Sequence, residues 1–286
     1  MHNIGIVGNT GYIAKSLITY FENNDFKVTK IGRSGIYDIF LDLSNLVSYD
    51  FTVLQSLDYV IITAAISSPD KCSKEYDYSY NINVVGTKIL IEQLLDYGIK
   101  VLFFSSDAVY GKSEVEVFTE KSEANPFTHY GIMKKEIEDT FKNNELFKAL
   151  RLSYVVSISD KFTSYCINTL KNDGEVEVFH PFYRNCIFLD DVVSIVNWLI
   201  NNWNFFEPTI LNVCGNELIS RIRIVDEINR YLNNSLKYKI TIPDPSFFIN
   251  RPRITQMKSL YLQSYGIIKE DCFSNKIQNE LRSISL

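Results

Sequence analysis

The stretch that most limits the fold is "GIVGNTGYIA", residues 5–14, in which Gly5, Gly8, Gly11 and Ala14 recur at every third position. It continues the apolar run "NIGIV" (3–7) and opens the helical pattern "GYIAKSLITYF" (11–21), which reads with Ile13, Leu17, Ile18 and Phe21 on one face. A strand that turns this sharply into a helix needs residues without a Cβ at the bend. The same alternation then repeats along the chain. "FKVTKIG" (26–32), "DYVIITAA" (58–65), "IKVLFFSS" (99–106) and "KALRLSYVV" (148–156) read as strands, and "YSYNINVVGTKILIEQLLDYG" (78–98) and "THYGIMKKEIEDTFKN" (128–143) as helices between them. Strands separated by helices predict an α/β fold with a parallel sheet, and right-handed crossovers put helices on both of its faces.

Beyond about residue 157 the rhythm loosens. "LDDVVSIVNWLINNW" (189–203) reads as a helix with Asp190 as its N-cap, "TILNVCG" (209–215) as a strand, and "SRIRIVDEINRYL" (220–232) as a helix capped by Ser220. The expected organisation is a doubly wound Rossmann-type domain over 1–156, with 185–215 returning to it. A smaller C-terminal substrate-binding lobe is expected from 157–184 and 216–286. At 286 residues and 46% hydrophobic content, the chain can bury a core of that size.

Charge and composition exclude several classes. The net charge of −5 comes with scattered rather than massed cations, so no nucleic-acid footprint is expected. No apolar run approaches the ~20 residues of a membrane span, and "MHNIGIVGNTG" enters a strand without the basic and apolar regions of a signal peptide. The five cysteines (72, 166, 186, 214 and 272) lack C-x-x-C spacing, which favours reduced thiols in a cytoplasmic protein and no metal site.

The glycine turn implies an anion. A backbone without side chains can approach a pyrophosphate, and the helix start behind it offers free N–H groups. Gly8 and Gly11 are the candidates. At the end of the second strand, "IGRSG" carries Arg33 and Ser34, where an acidic residue would suit a ribose hydroxyl and an arginine a 2′-phosphate. NADP(H) is therefore favoured and NAD(H) is the alternative. Asp42, in "DLS", either nears the adenine or caps a turn.

"YGIMK" places Tyr130 and Lys134 four residues apart on one helical face. An ammonium beside a phenol is expected to lower its pKa and allow proton exchange with a hydroxyl or carbonyl. The spacing alone is common by chance.

Its companions are more specific. With "GNTGYIA" (8–14), "TAA" (63–65), "NINVVGT" (81–87), "FSSDAVYG" (104–111), "RNCIFLDDV" (184–192) and "RPR" (251–253), the chain resembles the extended short-chain dehydrogenase/reductase family of nucleotide-sugar enzymes over nearly its whole length. The resemblance implies a catalytic set of Ser106, Tyr130 and Lys134. It adds Tyr12, Ile13, Leu43, Ala64 and Ala65 to the cofactor contacts, and it nominates Arg184 and Arg251 for a nucleotide-diphosphate sugar. It implies that Asn83 fixes local backbone, and that the protein is a homodimer, as many relatives are. Asp107 either faces substrate or caps its turn, and His180, Phe182 and Tyr183 are secondary candidates near the substrate.

Within that resemblance, the residue after Asp107 bears on the reaction. The dehydratases of the family carry a glutamate there and the fucose-synthase branch a cysteine, whereas this chain has Ala108. The resemblance is closest to the dTDP-4-dehydrorhamnose reductases, which implies NADPH-dependent reduction of a nucleotide-activated 4-keto sugar. A 4-epimerase with bound NAD is the alternative, and a non-catalytic dinucleotide-binding subunit a weaker one.

Overall fold

The computed structural model describes residues 2–113, 116–233, 235–269 and 271–282. The chain runs through β1 (Asn3–Val7), α1 (Tyr12–Glu22), β2 (Lys27–Gly32), β3 (Ile39–Phe40), β4 (Tyr59–Ile62), α2 (Pro69–Lys74), α3 (Tyr76–Tyr80), α4 (Thr87–Asp96), β5 (Lys100–Ser106), β6 (Val117–Phe118), α5 (His129–Phe141) and β7 (Phe147–Leu152). It continues through β8 (Val155–Val156), α6 (Lys161–Lys171), β9 (Glu175–Phe179), β10 (Tyr183–Arg184), β11 (Ile187–Phe188), α7 (Leu189–Asn201), β12 (Ile210–Val213), β13 (Ile219–Ser220), α8 (Arg221–Tyr231), β14 (Lys237–Thr241), β15 (Ile254–Met257) and α9 (Phe273–Leu281).

Seven strands form one sheet in the order β12-β7-β5-β4-β1-β2-β3. The five from β3 to β5 pair in parallel. Strand order reverses between β1 and β4, because the chain steps outward to β3 and then returns to the other side of β1. That reversal is the switch point at which open α/β sheets bind ligands. β4 is buried at every position and β1 at all but its first. Burial on both faces is why these strands read as unbroken apolar runs instead of alternating ones.

Three local expectations need correction. The buried stripe of α1 is Ala14, Leu17, Ile18 and Phe21, while Ile13 is only half-buried. The spacing i, i+3, i+4, i+7 starts at the small residue, and Ile13 falls off that face. The single helix expected over 78–98 is broken by a π-helical segment, Asn81–Gly86, between α3 and α4. The Asn83 side chain turns inward there and bonds both the N–H (2.8 Å) and the C=O (3.0 Å) of Ile66. Finally, α7 begins at Leu189, so Asp190 lies in its first turn and is not its cap. A carboxylate there still meets the positive end of the helix dipole.

The chain divides into two compact units, 1–111 with 123–151 and 195–211, and 112–122 with 152–194 and 212–286. The second unit thus begins earlier than the sequence suggests and claims a short detour at 112–122. Each unit has its own core. Val7, Ile31, Val60, Ile62, Leu90, Val101 and Phe103 belong to the first, and Phe162, Val176, Val178, Ile224, Ile228 and Ile277 to the second. Among the described residues, no helix is long and apolar enough to cross a membrane, and no His/Cys/Asp/Glu cluster could hold a metal ion.

Candidate active site

A cavity of about 310 Å³ opens in the first unit at the switch point. Gly8, Gly11, Arg33, Ser34, Asp42, Leu43, Ala64 and Ala65 all line it. Tyr12 and Ile13 are not on its wall but open α1 directly behind it. Gly8 has φ +95°, and a Cβ on it would lie 2.8 Å from the Ala64 backbone nitrogen. No L side chain fits that cradle. Asn9, Thr10 and Thr63 also line the cavity, although sequence reasoning passed over them. The first two were in plain view as the variable letters of the glycine motif. The Asn9 amide donates to the carbonyls of Ser34 (3.2 Å) and Ile36 (2.6 Å), which ties the glycine turn to the loop after β2. The glycine cradle, the start of α1 and the volume together fit a dinucleotide.

Arg33 is half-exposed and pairs with Asp42 at 3.2 Å. Hydrogen bonds to Tyr78 and to Asp42 raise its already high pKa. Asp42 also accepts from the Ser44 N–H (2.9 Å) and hydroxyl (2.7 Å). Burial raises the Asp42 carboxyl, but the bonds from Ser44 and Arg33 outweigh it and hold the group below the usual carboxylate range. The cavity therefore presents a cation and an anion that satisfy each other.

The second cluster sits where β5 ends. The Ser106 hydroxyl contacts Asp107 Oδ1 at 3.0 Å and accepts from the Ala108 N–H at 3.2 Å. Ser106 is thus the cap of the 3-10 turn Asp107–Val109, and the Asp107 carboxylate orients its hydroxyl. α5 packs onto this turn. Thr128 caps α5 by accepting from the Gly131 N–H at 3.1 Å, and a Cβ on Gly131 would lie 2.0 Å from the Ala108 carbonyl oxygen. The glycine of "YGIMK" is what lets Tyr130 approach the turn.

Lys134 is buried, donates to the Phe104 carbonyl at 2.7 Å, and lies 5.7 Å from the centre of the Tyr130 ring. Burial dominates both groups. It pushes the Tyr130 phenol well above 10, helped by Cys72 and Asp107. It pulls the Lys134 ammonium down to about 7, against the opposing fields of Glu138 and Cys72. The expected lowering of the tyrosine pKa is therefore reversed in this structure, because desolvation is the largest influence on each group and penalises its charged form. Cys72 is buried in the same cluster and accepts from the Asn83 amide at 3.8 Å. No local motif announces it.

Behind β5 lies a buried ion pair. Arg151 binds Glu138 at 2.6 Å, Glu138 accepts from the Ser105 hydroxyl at 2.5 Å, and Arg151 also donates to the Tyr110 hydroxyl at 2.9 Å. Every charged atom in this set has a partner, as a buried charge requires.

In the second unit, the nominated arginines differ. Arg184 is buried, and its guanidinium donates to the carbonyls of Tyr183 (2.6 Å), Pro252 (2.9 Å) and Arg253 (3.4 Å). Arg251 donates to the Phe247 carbonyl at 3.2 Å and lines a cavity of about 310 Å³ with Lys112, Arg253 and Phe248. Phe182 carries two guanidinium groups, Arg184 at 4.3 Å and Arg221 at 4.7 Å. His180 Nδ1 is buried without a partner among the described residues, and its ring lies 5.6 Å from that of Tyr183.

A glycine-walled cavity at the switch point of a doubly wound sheet is where this architecture holds a dinucleotide, so fold and site define a Rossmann-type enzyme with a nicotinamide dinucleotide cofactor. The chain belongs to the NAD dependent epimerase/dehydratase family, whose model matches residues 4–214. Among curated proteins it is 23% identical to GDP-6-deoxy-D-talose 4-dehydrogenase of Aggregatibacter actinomycetemcomitans, over 88% of this chain and 86% of that one. It is 24% identical to methionine adenosyltransferase 2 subunit beta of Xenopus tropicalis, over 96% and 86%. Among solved structures it is similar to a dTDP-4-dehydrorhamnose reductase from Bacillus anthracis in complex with NADP, with a TM-score of 0.86 at 19% identity and all of both chains covered.

Proposed function

We propose that the protein is an NADPH-dependent reductase of a nucleotide-activated 4-keto-6-deoxy sugar. The observation that carries this reading is the side-chain inventory of the turn after β5. It offers the Ser106 hydroxyl and the Asp107 carboxylate, followed by Ala108, which has no group to remove or deliver a proton. Dehydration or epimerisation through an enolate needs such a group at the ring carbon. Reduction of a ketone needs only a hydride and one proton.

NADPH, when bound, supplies the hydride. Gly8, Gly11 and the start of α1 would hold its pyrophosphate, and Arg33 with Ser34 its 2′-phosphate, with Arg33 shared between that phosphate and Asp42. Tyr130 donates the proton to the carbonyl oxygen as it becomes an alkoxide. The phenol is protonated at neutral pH and so carries the proton to be donated, although burial raises its pKa and an ammonium beside it or the basic alkoxide it meets must offset that rise in the reacting complex. The Ser106 hydroxyl turns from Asp107 to the sugar oxygen and holds it in line with Tyr130. Lys134, tethered to Phe104, orients the nicotinamide ribose.

On the second unit, Arg251, Lys112 and Arg253 face one cavity and suit phosphate oxygens. Arg184, whose donors are taken by backbone carbonyls, braces the Pro252–Arg253 segment instead of meeting the ligand.

The relative that is a methionine adenosyltransferase subunit raises the reading of a non-catalytic partner protein. The complete Ser106, Tyr130 and Lys134 set favours catalysis. The test is NADPH oxidation, followed at 340 nm, against a panel of nucleotide 4-keto sugars. Turnover with one of them is expected. Tightly held NAD and interconversion of 4-hydroxyl epimers without net NADPH consumption would establish the epimerase instead.

A further inference from the structure

Arg221, at the first position of α8, has no role in the reading above. Its guanidinium stacks against Phe162 at 4.8 Å and Phe182 at 4.7 Å. Among the described residues it has no hydrogen-bond or ion-pair partner. The carboxylate whose field reaches it, Asp160, is already engaged. Asp160 accepts from the Tyr154 hydroxyl (2.5 Å) and from the N–H groups of Ser157 (3.1 Å), Phe162 (2.8 Å) and Thr163 (3.1 Å), as the cap of α6. Arg184 on the same Phe182 ring has found its acceptors in the backbone. Arg221 has not.

A guanidinium brings five N–H donors and keeps its charge, so a half-buried one without protein acceptors has donors left for a ligand. Burial works against its charge, and so does the nearby Arg251. The two phenylalanine rings hold the Arg221 fork in one plane before any ligand arrives, which lowers the entropy lost on binding.

We propose that Arg221 is an oxyanion-binding residue of the second unit. It takes phosphate oxygens of the substrate's nucleoside diphosphate. The assignment rests on the nucleotide-sugar part of the proposed function and replaces Arg184 in that task.

Calorimetric titration of the full chain with inorganic pyrophosphate and with UDP tests it, with NADPH titrated in parallel. Wild type is expected to bind pyrophosphate in a salt-dependent manner. Arg221→Gln is expected to weaken both anions by about 10- to 100-fold, the loss of one charge-assisted pair, and to leave NADPH binding unchanged. Arg221→Lys, which keeps the charge but not the fork, is expected to lose less, and it carries the test if the glutamine variant does not fold. Arg184→Gln is expected to melt at lower temperature with pyrophosphate affinity retained. Wild-type affinity for both anions in the two Arg221 variants would overturn the assignment and leave the nucleotide-sugar reading standing. Failure of the wild type to bind either anion while binding NADPH would overturn both.

Discussion

The ammonium of Lys134 donates to the carbonyl oxygen of Phe104 at 2.7 Å. That bond fastens α5 to the end of β5, two residues before Ser106, and sets the distance at which Tyr130 stands over the turn. The lysine is buried as well as tethered, and the burial shapes its titration.

Lys134 has a folded-state pKa of about 7, below its ordinary 10.5. Between those values the unfolded chain carries a proton that the folded one lacks, so this group makes stability rise with pH from about 7 to 10.5. Below pH 7 it is charged in both states and costs the folded one. Urea denaturation of wild type and Lys134→Met at several pH values should show the variant losing this slope, which reaches about 1.4 kcal/mol per pH unit at its steepest. Parallel curves would contradict the burial of the ammonium.

Tyr130→Phe keeps the ring and removes the proton donor. Turnover should fall by about 10²- to 10⁴-fold, the usual contribution of a positioned acid. NADPH affinity, measured by quenching or calorimetry, should change little. A comparable loss of cofactor binding would point to a structural role.

Glu138→Gln leaves Arg151 buried without a counter-charge. Unpaired buried charges cost about 3–5 kcal/mol, so a large drop in denaturation midpoint is expected. The double change Glu138→Gln, Arg151→Met should recover part of that loss. If the double variant is no more stable than the single one, the cost comes from lost packing and not from the stranded charge.

Gly131→Ala places a methyl 2.0 Å from the Ala108 carbonyl oxygen. Backbone contact of that kind cannot be relieved by a side-chain rotation, so α5 must shift away from the turn. Activity should collapse before the fold does: circular dichroism near wild type, with turnover reduced by more than about 100-fold, the scale of an ångström-sized misplacement.

Arg33→Gln removes the cation in the dinucleotide cavity and frees Asp42. Preference for NADPH over NADH should fall by about 10- to 100-fold, the worth of one charge-assisted phosphate contact. An unchanged preference would remove Arg33 from the cofactor site.

Much of the first unit was legible because its chemistry is local. The glycine turn and the apolar runs repeat at fixed spacings, and a backbone has few ways to satisfy them. Tyr130 and Lys134 share a face because a helix turns every 3.6 residues. Asn83 was readable as a backbone-fixing residue through the family resemblance of "NINVVGT". The π-helical break at Asn81–Gly86 was not, because it depends on the Ile66 backbone to which Asn83 bonds.

Tertiary structure decided which charged groups are free. Sequence puts Arg184 in a motif and leaves Arg221 outside one, yet Arg184 gives its donors to carbonyls 68 and 69 residues away, while Arg221 reaches no acceptor among the described residues. It also decided the titration of the Tyr130 and Lys134 pair. Spacing brings the two groups together and so determines the sign of their attraction. The depth of burial, built from strands and helices distant in sequence, determines how far each titration moves, and here desolvation is the largest influence on both.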